Sequence, residues 1–144
     1  MLVCAHRYVI KNGESQLGQG LCYVLNNDLE YDEIYEPCKG RTTARMHEDY
    51  AFCQAGTSGT LLNDGTMILG APGLYTWRGT IFTIEVSGDY LKRDKTPYYG
   101  PHEDKISPVD KYSYLGMSVT GGKYFGSQQA FVGGGNNCIN ISKS

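Results

Sequence analysis

Five cysteines, Cys4, Cys22, Cys38, Cys53 and Cys138, are the residues of this chain most able to do chemistry. None forms a Cys-x-x-Cys pair, and His6, His47 and His102 are scattered, so the ligand spacing of a zinc site is absent. Two roles stay open for each cysteine: a buried thiol, or half of a disulfide if the chain is extracellular. Cys53 and His47 can be forced into a nucleophile–base pair, but they lie six residues apart in the chain and no nucleophile constellation is convincing. Asn26 to Glu36 carries five carboxylates, Asp28, Glu30, Asp32, Glu33 and Glu36. Such a run can hold a cation, although its plain reading is a solvated loop. Nothing sets two carboxylates across a cleft as glycoside hydrolysis requires. Gly133-Gly134-Gly135 is followed by neither a helical pattern nor Lys-Ser/Thr, so it reads as a strand end and not a phosphate loop. The expectation is a chain that is not an enzyme and holds no cofactor and no metal.

The elements around these residues are strands. In Tyr50 to Trp77, an aromatic and small-residue run (Phe52-Cys53-Gln54-Ala55-Gly56) leads to the turn signal Asn63-Asp64-Gly65. Asp and Gly there suit the left-handed backbone of a tight hairpin. The strand Met67-Ile68-Leu69 follows and ends in Gly70-Ala71-Pro72-Gly73, small residues where the backbone packs closely and stops pairing. This unit recurs. Tyr114 to Val119 echoes its start, and Ala130 to Gly135 echoes its strand and small-residue end. Cys53 to Gly116 and Ala71 to Gly134 each span 63 residues. Leu2-Val3-Cys4-Ala5-His6 is a third copy of the second half, 66 residues before Ala71. Strand-rich units repeating at this period point to a β-propeller built of four-stranded blades.

In chain order, residues 2–10 read as a strand running to a turn at Lys11 to Glu14, and Gln16 to Gly20 as loop. Gly20 to Leu25 reads as a strand, Arg41 to Glu48 as a polar surface loop. Thr80 to Val86 alternates, with Phe82, Ile84 and Val86 on one face and Thr83 and Glu85 on the other, the pattern of a half-buried strand. Residues 90–112, with Pro97, Pro101 and Pro108, form a long polar loop of the kind kept for function.

Composition agrees. The net charge of -2 provides no basic field for nucleic acid, and nineteen Gly with twelve Tyr suit a turn-dense, strand-rich chain. No segment approaches the roughly 18 apolar residues of a membrane span. The start, MLVCAHRYVI, reads as a strand and not as a signal peptide. Beginning and stopping inside repeats is the pattern of a fragment or a partial gene model.

The order Cys-Ala after an apolar strand, Glu36-Pro37-Cys38, Phe52-Cys53-Gln54, then Gly70-Ala71-Pro72-Gly73 before Tyr75 and Trp77-Arg78-Gly79 resembles the FG-GAP propeller of integrin alpha chains, with an insect-type alpha chain as one variant. The resemblance implies an all-β partial propeller over blades two to four. About 1–49 would be the end of one blade with its connecting loops, 50–112 one blade with a long loop, and 113–144 the start of the next. It implies disulfides Cys4–Cys22 and Cys38–Cys53, with Cys138 unpartnered within the chain. It implies a cell-surface receptor alpha subunit that binds an extracellular-matrix protein beside a beta subunit. A secreted propeller hydrolase or carbohydrate-binding module is the alternative.

Site residues carry over by position. In members that bind RGD ligands, an acid before the Phe-Cys step and one before the Tyr-Leu-Gly step hold the ligand arginine; the first matches Glu48, beside Asp49. The acid before the Tyr-Leu-Gly step matches Lys111, next to Tyr112, which reverses the charge. The upper-face aromatic segment matches Tyr75 to Trp77. The channel positions that meet the beta subunit match Thr57 and Met117. The calcium hairpin that many blades carry would fall between Val119 and Ala130, where no carboxylate is present to ligate it. Asn140-Ile141-Ser142 is an N-glycosylation acceptor in an extracellular chain.

Overall fold

A computed structural model describes residues 1–86, 98–99, 109–125, 128–136 and 138–143. Its main elements are three antiparallel sheets arranged in series. The first joins β1 (Leu2–Ala5), β4 (Leu21–Leu25) and β5 (Tyr31–Tyr35) in the order β1-β4-β5. The second joins β6 (Ser58–Leu61), β7 (Thr66–Ala71), β8 (Thr80–Glu85) and β9 (Tyr98–Tyr99) in sequence order. The third joins β10 (Ser118–Phe125), β11 (Gln128–Gly135) and β12 (Cys138–Lys143). A small hairpin, β2 (Ile10–Asn12) with β3 (Ser15–Leu17), stands apart. These are blades of a partial β-propeller.

The central sheet explains the packing. On β7, Met67 and Leu69 point into one core and Ile68 into another; on β8, Phe82 and Ile84 take the first and Ile81 the second. The first core adds Cys22, Val24 and Tyr35 from the first sheet. The second adds Phe131 from the third, together with Leu62, Val109 and Leu115. Side chains alternate across a strand, so a sheet caught between two others must be apolar on both sides. Each such side chain contributes about 1.5–3 kcal/mol by leaving water. The half-buried pattern expected for Thr80 to Val86 is corrected here. Thr83 is buried as well, and Glu85 is the residue of β8 that reaches solvent.

Neighbouring sheets are joined by a device that occurs twice. Gln54 N–H donates to Gly18 O and Ala55 N–H to Gln19 O; sixty residues on, Tyr114 N–H donates to Trp77 O and Leu115 N–H to Arg78 O. In each case the next residue is a glycine with positive φ, Gly20 at 72° and Gly79 at 82°. A β-carbon on Gly20 would collide with the Ala55 backbone, and one on Gly79 with the Leu115 backbone. Glycine is required there twice over, for the left-handed backbone and for the close approach.

Two covalent links, Cys4 to Cys22 and Cys38 to Cys53, close local loops. Cys4 and Cys22 are register partners on β1 and β4. The turn at Asn63-Asp64-Gly65 joins β6 to β7, and Asp64 Oδ1 accepts the Thr66 N–H at 2.9 Å. Other expectations differ. Residues 2–10 are not one strand: β1 ends at Ala5, and Lys11 and Asn12, expected in a turn, pair in β2. Gln16 and Leu17, expected in a loop, lie in β3, because residues 10–17 fold back on themselves around Gly13. The acidic stretch is a loop only as far as Glu30; from Tyr31 it is strand β5, paired to β4. Of the long loop expected at 90–112, Tyr98 and Tyr99 are instead strand β9, paired to β8; apart from these and residues 109–112 it lies outside the described residues. Among the described residues no helix is long and apolar enough to cross a membrane.

Candidate recognition face

Three loop segments meet at one end of the sheets. The first is residues 42–49, which contain a single 3-10 turn (Met46–Glu48). The second is the short helical turn α1 (Leu74–Trp77) that follows Gly-Ala-Pro-Gly. The third is residues 110–114. Tyr75 N–H reaches Asp49 O at 3.4 Å, and Tyr112 N–H reaches Thr76 O at 3.2 Å, so α1 lies between the other two.

The turn α1 is left-handed over three successive residues. Tyr75, Thr76 and Trp77 have φ of 48°, 56° and 56°. For residues with a β-carbon this costs about 1–2 kcal/mol each. The cost is offset by what the turn docks against. Tyr75 is buried and packs edge-on against Tyr50, with ring centroids 5.5 Å apart. Trp77 is half-buried between two nearly parallel rings, Phe52 at 6.2 Å and Tyr112 at 6.4 Å. Tyr112 is 58% exposed. The result is a three-ring stack open at one end, an aromatic surface with a hydroxyl at its rim.

The neighbouring carboxylates divide their work. Asp49 is 1% exposed, and its side chain accepts from the Arg45 N–H (2.9 Å), the Arg45 guanidinium (3.1 Å) and the Thr42 hydroxyl (3.3 Å). It holds the loop closed. Glu48 is more open and lies 3.7 Å from Arg45 Nη1. Lys111 is exposed. Its position is set by its neighbours, since Asp110 O accepts both the Ser113 N–H (3.3 Å) and the Ser113 hydroxyl (2.7 Å).

The structure thus brings Glu48, Tyr75, Trp77, Lys111 and Tyr112 to one face. It places Tyr75 beneath the surface, as a support for the loop. Thr57 and Met117 are elsewhere, immediately before the neighbouring strands β6 and β10; Met117 is 52% exposed. The Ser58 hydroxyl donates to Gly116 O at 2.7 Å and ties those two strand starts together. Asn140 lies in β12 opposite Gly133, with Cys138 two residues earlier in the same strand. Among the described residues no cluster of three His, Cys, Asp or Glu is placed to hold a metal ion.

Two contributors were missed from the sequence. Phe52 forms one end of the ring stack; its contact with Trp77 spans 25 positions, and no local pattern reveals it. Arg45 engages both Glu48 and Asp49, and its i,i+3 and i,i+4 spacing was the signal that could have found it.

No protein-family profile matches the chain. Among curated proteins it is similar to integrin alpha-7 of Rattus norvegicus, 34% identical over 139 aligned positions covering 85% of this chain. It is similar to integrin alpha-6 of Gallus gallus, 31% identical with 93% of the chain covered. It is also similar to integrin alpha-8 of Homo sapiens, 34% identical with 80% covered. The chain spans only 12%, 14% and 11% of those three proteins.

Proposed function

The chain belongs to the integrin alpha family, and from that premise we propose that it is part of the propeller of an adhesion receptor alpha subunit. The receptor stands at the cell surface, and this segment is in its extracellular part. It binds an extracellular-matrix protein together with an integrin beta subunit. The work is binding, not catalysis: loops held by rigid sheets present a surface complementary to the ligand.

The observation that carries this reading is the open ring stack of Phe52, Trp77 and Tyr112, drawn from three separate loops, with Lys111 next to Tyr112 in the chain and the loop that carries Glu48 hydrogen-bonded to α1. Aromatic anchors ringed by charges are the composition of an energetic hot spot. Trp77, Tyr112, Glu48 and Lys111 contact the ligand, and Tyr75 positions them. Thr57 and Met117, at the heads of adjacent strands, face the beta subunit.

The test is adhesion of cells expressing the full receptor with a beta subunit. Tyr112→Ala is expected to weaken spreading on the matrix ligand without lowering the surface level of the receptor. Undiminished adhesion by Tyr112→Ala and Trp77→Ala variants at equal surface level would remove the face from the reading. Asn140 carries an N-glycan in this setting, so Asn140→Gln lowers the mass of the secreted chain by one glycan; an unchanged mass leaves the acceptor unused.

A further inference from the structure

We infer that Arg41 is a positioning residue of the recognition face, acting through Tyr50 and Tyr75 on the turn that carries Trp77. The inference rests on the adhesion reading and adds to it the residue that ties the ring stack to the sheet beneath.

Arg41 opens a polar segment, yet it is partly buried. Its Nε donates to Pro37 O at 2.8 Å, which constrains the plane of the guanidinium. The guanidinium carbon then lies over two rings, 5.2 Å from the centroid of Tyr50 and 5.7 Å from that of Phe82. A cation is attracted by the negative face of an aromatic ring, and more strongly where water is partly excluded. Both rings are buried. A planar guanidinium can stack on such faces while its edge donates a hydrogen bond; a lysine ammonium lacks that geometry.

The two rings belong to different parts of the fold. Phe82 is in β8, in the core with Met67 and Leu69. Tyr50 closes the 42–49 loop, and its backbone has its own anchors. Its N–H donates to Thr42 O at 3.0 Å, and its carbonyl accepts from Gln19 Nε2 at 3.3 Å. The same buried amide also donates to Cys38 O at 3.2 Å. The guanidinium therefore acts on the ring of Tyr50, which already has a fixed backbone. Against that ring packs Tyr75, edge to face. Tyr75 opens the left-handed run that ends at Trp77, and a strained run persists only where its surroundings over-determine it. The ring of Tyr50 is one such support, and Arg41 couples it to β8.

Arg41 does not touch the ligand in this account. Its loss lowers the fraction of receptor whose turn holds Trp77 between Phe52 and Tyr112, and apparent affinity falls by that fraction. Arg41→Met keeps an apolar stem and removes both the charge and the Nε donor. It is expected to weaken binding about five-fold, the size of one partly desolvated cation–π contact. Arg41→Lys keeps the charge without the planar fork and is expected to fall between Arg41→Met and wild type.

The experiment uses the full receptor with its beta subunit, purified into lipid nanodiscs, with surface level on cells measured by antibody. The binding probe is matrix laid down by cultured fibroblasts and stripped of cells. In parallel, the emission of Trp77 is isolated as the difference between each receptor and the same receptor carrying Trp77→Phe. Arg41→Met is expected to raise the half-saturating concentration at unchanged surface level and to move the Trp77 emission to longer wavelength. Arg41→Lys is expected to recover part of both. In a Tyr50→Leu background, Arg41→Met is expected to add no further loss, since the ring it acts through is gone. An unchanged Trp77 emission in Arg41→Met overturns the proposal, as does a loss that adds in full to that of Tyr50→Leu. So does wild-type binding by Arg41→Met where Tyr112→Ala binds poorly. Wild type that ignores the matrix, or Tyr112→Ala that binds it equally well, counts against the adhesion reading instead, and the Trp77 emission then decides the role of Arg41.

Discussion

Arg45 donates a 3.1 Å charge-assisted hydrogen bond to Asp49, and the carboxylate that receives it is almost wholly buried. The same carboxylate accepts the Arg45 N–H and the Thr42 hydroxyl, so the side chain at the end of the 42–49 loop ties back to its middle and its start. Removing Asp49 leaves those donors without their anion, and breaking a buried pair in this way costs about 3–5 kcal/mol. Half of Arg45 is exposed, which screens the guanidinium contact and places Asp49→Ala at the lower end of that range. Glu48→Ala is expected to change stability by less than about 1 kcal/mol, as exposed pairs do. Denaturant unfolding of the receptor ectodomain measures both. Equal losses for the two variants would mean that Asp49 is not the residue closing the loop.

The left-handed turn at Thr76 yields a prediction of opposite sign. Thr76 has φ of 56° with a β-branched side chain, an unfavourable combination. Thr76→Gly is expected to stabilise the ectodomain by about 1 kcal/mol, since glycine adopts this backbone without the steric penalty. Thr76→Val keeps the β-branch and is expected to give no gain. A lower melting temperature for Thr76→Gly would show that contacts of the threonine side chain outweigh the strain of its backbone.

How much of this was legible beforehand depended on the range of the interaction. The hairpin at Asn63-Asp64-Gly65 is a local signal and forms as expected, with Gly65 alone of the three at positive φ; the small residues were expected to stop pairing, but Gly70 and Ala71 still pair in β7. The two-sided burial of β8 was not legible, because Thr80 and Thr83 look polar until a sheet lies on each face. The β2–β3 hairpin was missed since three-residue polar strands carry almost no alternation. At the recognition face, single residues were placed by analogy of position. The stack of Phe52, Trp77 and Tyr112 was invisible, as its rings come from segments 25 and 35 positions apart. Nothing in Tyr75-Thr76-Trp77 announces a left-handed turn, because glycine and asparagine, its usual markers, are absent.

Residues 1–144 expressed alone are expected to be poorly stable. Val3 is 42% exposed on the face of the first sheet that points away from the second, and its register partner Tyr23 is only partly buried. An exposed apolar face and open strand edges favour association between chains. Two local disulfides tie loops without covering either. Sedimentation is expected to show concentration-dependent assemblies, reduced by Val3→Glu. A monomer with one cooperative melting transition would argue that these residues close into a domain by themselves.

The last prediction concerns which ligands the face rejects. A guanidinium held by two carboxylates gains directional, charge-assisted hydrogen bonds. Here Glu48 can supply one carboxylate, but Arg45 already lies 3.7 Å from it. At the second matched position stands Lys111, a like charge, and repulsion of this kind is how interfaces exclude a partner. Asp110, next to Lys111, is an acid that a shift of one residue could bring in its place. The structure gives a reason why the shift is unfavourable: Tyr112 N–H is bonded to Thr76 O, the Ser113 hydroxyl to Asp110 O, and the Tyr112 ring to Trp77. Sliding the segment would break the two contacts that tie it to α1, the Tyr112 N–H bond to Thr76 O and the ring contact with Trp77. Wild-type receptor on cells is therefore expected not to support spreading on an RGD substrate, and Lys111→Asp is expected to gain it. A gain by Lys111→Asp alone would mean that the natural ligand presents an acidic or neutral group to Lys111 and Tyr112. Spreading by wild type that is abolished by Asp110→Ala would show that the segment does slide, and that Asp110 is the acid in the site.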